Sequence, residues 1–286
     1  MQWAAISIDT EGEEAKEAAT KILMDFGCNG VALDNAGEEG ARITGYLPSD
    51  DRLETSLLRI KAAVALLPTI GVEGVSEEIT VKFVKEEDWA TAWKTYFKPI
   101  RIGRHLIVTP PWEDPGAGER DRVVVIDPGM AFGTGNHPTT QLCLAALEDF
   151  VTAGDTVADI GTGSGILAIA AAKLGAAEVF ATDIEPLAVQ IAARNAIENQ
   201  VPLETSTEPP LDRQFNVVVS NILANVLIEM ADDLAAMTKP GGVLIASGII
   251  DERENDVRLY LEGAGFTCIE TRESGEWVAL ILRRSE

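Results

Sequence analysis

The chain is predicted to fold as a small α+β domain followed by a doubly wound α/β domain with a mostly parallel sheet. Three observations predict it. From Thr156 onward, short apolar runs alternate regularly with amphipathic helical segments, giving seven strands. The first of those strands runs through a glycine-rich turn, Asp159 to Gly165, directly into an Ala/Leu-rich helix. The last two strands are separated only by Glu273, Ser274 and Gly275, too short for a parallel connection, so they form an antiparallel hairpin.

In order, Trp3–Ile8 reads as a strand, and Thr10 as the N-cap of a helix reaching about Phe26. Strands come next at Val31–Leu33 and Ala41–Leu47. Pro48 to Asp51 then caps a second helix with apolar Leu53, Leu57, Ile60, Val64 and Leu67, and Ile79–Val84 closes the segment. The order βαββαβ over residues 1–86 is that of a ferredoxin-like sandwich. Up to Asp88 this region holds 18 acids against 8 bases and shows no aromatic pair on its strands, so protein recognition fits it better than RNA binding.

Residues 87–112 read as a linker helix and hinge. From Trp89 to Trp112 the chain carries Lys94, Lys98, Arg101 and Arg104 and no acid, with Trp89, Trp93, Tyr96 and Phe97 at helical spacing. His105 in the next run reads as structural. The second domain, 113–286, opens with a Pro/Gly-rich loop and the strand Val123–Ile126, then D-P-G-M-A-F-G-T-G-N-H-P-T-T from Asp127 to Thr140, a loop rich enough in special residues to be shaped around a ligand. It leads into a helix over Gln141–Phe150. The remaining elements are strands at Val157–Ile160, Glu178–Asp183, Leu203–Thr205, Phe215–Ser220 and Val243–Ser247, the last entered through a K-P-G-G turn. Helices Ile166–Leu174, Pro186–Asn199, Val226–Met237 and Glu252–Ala264 alternate with them, before Phe266–Arg272 and Glu276–Leu282.

Composition narrows the partners. A formal charge of −23 opposes direct contact with nucleic acid or anionic membranes and favours a basic partner. Cys28, Cys143 and Cys268 stand far apart and only two histidines exist, so neither disulfides nor a metal centre is expected. With no leader or membrane span in the pattern, a cytoplasmic protein is expected, monomeric by default.

The glycine turn points to a nucleotide-like ligand, with N–H groups free at the helix start and a carboxylate, Asp183, placed 22 residues beyond Gly161 to accept ribose hydroxyls. In D-I-G-T-G-S-G the third glycine comes one residue early for a dinucleotide fingerprint, and Ile166 stands where it is required. Asp159 suits a ligand bearing ammonium and sulfonium groups and disfavours a pyrophosphate. S-adenosyl-L-methionine is therefore the expected cofactor, held at Asp159, Gly161, Gly163 and Asp183. Asn221, at the end of the fourth strand of this sheet, is placed to hold the donor at the crevice of the sheet. Phe132 offers a ring face to a cationic group, or else anchors its loop in the core. His137 is a candidate base, or else a loop-ordering residue.

These strings together with A-T-D-I-E-P, S-N-I-L-A and W-x-x-x-W-K-x-Y-F-K-P resemble the PrmA family, the methyltransferases of large-subunit ribosomal protein L11, over essentially the whole chain. The resemblance implies a Rossmann-like methyltransferase sheet and contacts to the donor from Thr140, Gly161, Asp183 and Asn221. It also implies an N-terminal domain that recognises the ribosomal protein, and trimethylation of its lysine side-chain and N-terminal amines. N-I-L-A, where related enzymes often show N-P-P-Y, leaves room for an aliphatic amine. The alternatives are a small-molecule amine methyltransferase, and a donor-binding ribosomal assembly factor without catalysis.

Overall fold

The computed structural model describes residues 2–26, 28, 31–35, 40–49, 53–70, 72, 74–85, 97–127 and 135–286. They fall into two compact units, Met1–Phe97 and Lys98–Glu286.

In the first unit, β1 (Gln2–Glu11), α1 (Glu13–Asp25), β2 (Val31–Asn35), β3 (Gly40–Pro48), α2 (Leu53–Leu66) and β4 (Val75–Lys85) build a sheet of order β2-β3-β1-β4, antiparallel throughout. Period-two alternation turns Ala4, Ile6 and Ile8 of β1 and Ile43 and Leu47 of β3 inward, onto Leu23 of α1 and Ile60 and Val64 of α2. Thr10 is not a helix cap. It occupies the next inward position of β1, its hydroxyl donating to the Ala41 carbonyl at 3.0 Å, and α1 starts behind Gly12 with no side-chain cap. Asp50 and Asp51 of the expected second cap lie outside the described residues. On the opposite face the register sets Trp3 across from Pro48 and Tyr46 across from Ala5, so neither aromatic has the other as its cross-strand partner.

In the second unit, residues 98–112 fold into the α/β domain rather than standing apart as linker. β5 (Ile100–Ile102) pairs antiparallel with β6 (Leu106–Thr109), which pairs parallel with β7 (Arg122–Val125), and β6 is buried along its whole length. The described bases of the basic island are neutralised locally. Lys98 meets Glu113 at 2.9 Å, Arg101 grips Asp121 through two bonds of 2.7 and 2.8 Å, and Arg104 meets Asp149 at 2.7 Å. Lys94 and the aromatics Trp89, Trp93 and Tyr96 lie outside the described residues.

The main sheet has the order β10-β9-β8-β11-β12-β14-β13. Its strands are β8 (Thr156–Ile160), β9 (Glu178–Thr182), β10 (Glu204–Ser206), β11 (Phe215–Asn221), β12 (Thr238–Ile250), β13 (Phe266–Ser274) and β14 (Trp277–Arg284). β8 to β12 run parallel, and β14 is antiparallel to both β12 and β13. One face packs on α3 (Pro138–Phe150) and α4 (Ile166–Leu174), around Leu144, Leu147 and Ile169; α5 (Pro186–Glu198) adds Ala196 to the same cluster. The other packs on α6 (Ala224–Glu229), α7 (Ala231–Met237) and α8 (Asp251–Gly263), around Leu227, Leu234 and Leu261. The helix expected over Val226–Met237 is thus two, divided at Met230. K-P-G-G lies inside β12, as an interruption between the pairs Phe215–Thr238 and Val217–Val243. Among the described residues no helix is long and apolar enough to cross a membrane.

Candidate active site

The direction of strand order reverses at β8, with β9 on one side and β11 on the other; crevices at such switch points, at the carboxyl ends of the strands, are where open α/β sheets bind ligands. Thr140, the glycine turn, Asp183 and Asn221 are brought together here from four separate segments. Gly161, Gly163 and Gly165 have φ of 79°, 53° and 84°, the left-handed region that side chains disfavour. A Cβ on Gly161 would overlap the Ile222 Cγ2 methyl, and one on Gly165 would stand 3.0 Å from Ala192.

The turn differs from the sequence expectation in one chemical respect. Four of its N–H groups are engaged within the protein. Those of Gly161 and Thr162 both donate to the Thr182 carbonyl, at 2.8 and 2.9 Å, that of Gly163 to Asp183 Oδ2 at 3.0 Å, and that of Gly165 to the Thr162 carbonyl at 2.9 Å. A pyrophosphate needs such donors, whereas a ligand that presents hydroxyls and cationic groups does not. Asp183 Oδ1 accepts from the Glu185 N–H at 3.0 Å, so both oxygens are oriented by backbone while their remaining lone pairs stay available for hydroxyl donors.

Asp159 does not display its carboxylate. The residue is 0% exposed beneath the turn, with Oδ2 accepting from the Thr162 hydroxyl at 2.7 Å and the Ala168 N–H at 3.1 Å. Oδ1 is buried without a hydrogen-bond partner among the described residues. Burial pushes its pKa up to about 7; Thr162 and Ala168 oppose the shift, and Asp183 adds to it.

Thr140, buried on the first turn of α3, receives a bond from the Asn221 side-chain amide at 3.4 Å. This joins the helix to the tip of β11. The chain after Asn221 is tightly held: Ile222 presses its side chain toward Gly161, and its backbone lies so close to Gly248, φ 85°, that a Cβ there would overlap the Ile222 carbonyl. Leu223 stands exposed at the same edge.

His137 is the N-cap of α3. The Thr139 N–H donates to its Nδ1 at 3.3 Å, and the Thr139 hydroxyl lies 2.7 Å from the same atom. Burial lowers its pKa. Accepting the Thr139 N–H at Nδ1 puts the ring proton of neutral His137 on Nε2, so neither nitrogen offers an unused lone pair to a substrate proton. Phe132 lies outside the described residues.

Three contributors escape sequence reading. Trp277, at the start of β14, meets the His137 ring edge-on at a centroid distance of 4.7 Å, bringing the terminal hairpin to the site. Asn195 anchors the glycine turn through a buried 2.8 Å bond to the Ser164 carbonyl. Asn199 exchanges bonds with both backbone groups of Val125, at 2.7 and 2.6 Å, tying α5 to β7. These are bonds across 31 and 74 residues, and only the polar asparagines inside an otherwise apolar helix face hint at them.

The arrangement fits S-adenosyl-L-methionine: a glycine cradle closed to added Cβ atoms, an oriented carboxylate beside it, an amide at the β11 tip, and an unsatisfied acidic oxygen below.

Comparison with known proteins points the same way. Residues 2–285 match the family described as ribosomal protein L11 methyltransferase (PrmA). Proteins named ribosomal protein L11 methyltransferase from Bacillus cereus and Bacillus anthracis are each 40% identical over an alignment of 318 residues that spans 100% of this chain and 100% of theirs. A crystal structure of ribosomal protein L11 methylase from Lactobacillus delbrueckii subsp. bulgaricus superposes with a TM-score of 0.63 at 35% identity, covering 66% of this chain and 100% of the other.

Proposed function

The chain belongs to the ribosomal protein L11 methyltransferase (PrmA) family, and on that premise we propose that it transfers methyl groups from S-adenosyl-L-methionine to lysine side-chain and N-terminal amines of ribosomal protein L11. One observation carries the donor assignment: a glycine turn with four amides engaged within the protein, the carboxylate of Asp183 beside it and the buried acid Asp159 beneath it. Such a site favours a cationic, ribose-bearing ligand over a polyphosphate.

When bound, the donor supplies an electrophilic methyl on its sulfonium. Asp183, oriented by the Gly163 N–H, would accept the ribose hydroxyls, the Gly161–Gly163 backbone would border the donor, and Asn221, steadied by Thr140, would position donor and amine for transfer. The amine must attack as the neutral base, whereas lysine has a pKa of about 10.4 in water. Removal from water at this edge, where Leu223 and Ile222 supply apolar surface, lowers that value, and the proton leaves to solvent. Alignment and desolvation then provide the rate, with no base required of His137.

The first unit serves as substrate-recognition domain. Its sheet order β2-β3-β1-β4 supports the ferredoxin-like reading, and its 18 acids against 8 bases complement a basic protein. A ribosomal-protein substrate places the work in the cytoplasm. The test is to incubate the purified protein with tritiated donor and L11, locating label by mass spectrometry. Label on lysines and the N-terminal amine is expected; donor binding with unlabelled L11 defeats the proposal, and label appearing only in added small amines favours a metabolite substrate.

A further inference from the structure

We propose that Asp159 senses the charge of the ligand above it, standing neutral beneath the glycine turn in donor-free protein and ionising as the cationic donor binds. It thereby makes the site prefer the sulfonium donor over the sulfide product. The inference rests on the donor reading given above.

Among the described residues the geometry gives this carboxyl no compensating charge. Oδ2 accepts from the Thr162 hydroxyl of the turn and the Ala168 N–H of α4, while Oδ1 is buried with no hydrogen-bond partner among the described residues. From β9 the nearby charge is Asp183, another carboxylate. From α3 it is the buried thiol of Cys143, whose own ionisation is opposed by burial first and by Asp159 second. No cation contributes at Asp159 among the described residues. A fully ionised carboxylate here has an unpaired oxygen, a like charge beside it and no water, which burial penalises heavily. The pKa of about 7 expresses the same balance.

A bound sulfonium changes it. A positive charge added above a buried carboxyl would favour its ionised form: the O–H bond breaks, the proton passes to bulk solvent, and the donor keeps its charge. By linkage the ionised carboxyl strengthens donor binding by the same factor, and each unit by which the donor lowers the pKa is a tenfold gain. Methyl transfer turns the sulfonium into a neutral sulfide and removes that gain, so product leaves more readily than donor. The sulfonium makes the donor's ammonium more acidic than the product's, so the ligands' own titration is read from Asp159→Asn and subtracted.

Calorimetric titration of the full chain with S-adenosylmethionine and with S-adenosylhomocysteine, from pH 5.5 to 8.5 and in buffers of different ionisation enthalpy, tests this. Near pH 6.5, donor binding should release up to about one proton and product binding clearly fewer, and the donor-to-product affinity ratio should rise about tenfold across the range. Asp159→Asn, which matches the neutral carboxyl in shape, should keep only the pH dependence of the ligands' own ammonium groups. A ratio in the native protein that follows the variant's across the range, or the same proton release from Asp159→Asn, overturns the inference. Should that variant fold poorly, carbon-detected NMR of the Asp159 carboxyl in the native protein decides: a midpoint near neutral that falls on adding donor supports it, and an unmoved midpoint overturns it. Failure of either ligand to bind at all would instead defeat the donor reading itself.

Discussion

Asp183 accepts the N–H of Gly163 at 3.0 Å, across the gap between the ends of β8 and β9. The bond fixes the glycine turn and the carboxylate relative to one another, and Glu185 holds the other oxygen. Asp183→Asn can satisfy only one of the two backbone donors, because its amide nitrogen cannot accept. Bonds to charged groups are worth about 1.5–3 kcal/mol. The donor dissociation constant should rise about 10- to 100-fold, measured by calorimetry beside a melting curve. Unchanged affinity would remove Asp183 from the donor site.

Gly161→Ala faces two penalties. The left-handed backbone costs a side chain about 1–2 kcal/mol, and the new methyl overlaps Ile222. A lower Tm and loss of donor binding are expected. Adding Ile222→Ala should relieve the overlap and leave the backbone cost, so a double-mutant cycle will show favourable coupling; zero coupling would mean that the two residues are not in contact.

His137→Ala removes the cap of α3, with an expected loss of about 1 kcal/mol of stability, while His137→Asn keeps an acceptor and should recover most of it. If capping is the role, the pH dependence of methyl transfer keeps its shape in both variants. The loss of a limb from the pH profile in the alanine variant would make His137 the base. Its pKa is lowered on folding, so the capping contribution is present above the ordinary histidine value and is lost as pH falls through the folded value.

For Asp159 the sign is opposite. Its folded pKa, about 7, lies above the unfolded carboxylate value, so between roughly pH 4 and 7 the native protein holds more protons than the unfolded chain. The stability tied to the neutral carboxyl is complete below that window and is lost as pH rises through it. Melting curves of the native protein and Asp159→Asn should therefore diverge with rising pH, the variant becoming the more stable by pH 8. Parallel curves would show that Asp159 is already ionised at low pH.

Glu148 supplies a control remote from the donor. Its carboxylate, 5% exposed as a side chain, accepts the N–H groups of Arg104 and His105, both at 2.6 Å, and holds the turn between β5 and β6. Glu148→Ala should destabilise by about 2–3 kcal/mol and leave donor affinity within twofold at a temperature where the variant is folded. A large change in affinity would place the small sheet within the active site.

Local pattern makes much of this legible. The helix Ile166–Leu174 is bounded by Gly165 and Gly175, both in the left-handed conformation, so composition marks its ends. The two-residue gap between Ser274 and Trp277 dictates an antiparallel hairpin. What composition misses is set by long-range partners. Thr10 looks like a cap because acids come after it, yet the strand continues past it to pair with Ala41. Lys239 to Gly242 look like a turn, yet β12 resumes its ladder beyond them. Asp159 reads as facing a ligand, and whether a carboxylate two residues before a turn points up or down depends on the Ala168 and Thr162 donors beneath it. The glycine turn itself is legible as a site; the internal use of its N–H groups is not, since their acceptor, the Thr182 carbonyl, lies on another strand.

β14 follows β13 in the chain yet is inserted between β12 and β13, with Val278 to Leu282 wholly buried. Until it is seated, β12 and β13 each present an unsatisfied edge and His137 lacks Trp277 beside it. Disrupting β14 therefore opens a slot inside the sheet instead of trimming its border, and the opening reaches the helix that carries His137 and Thr140.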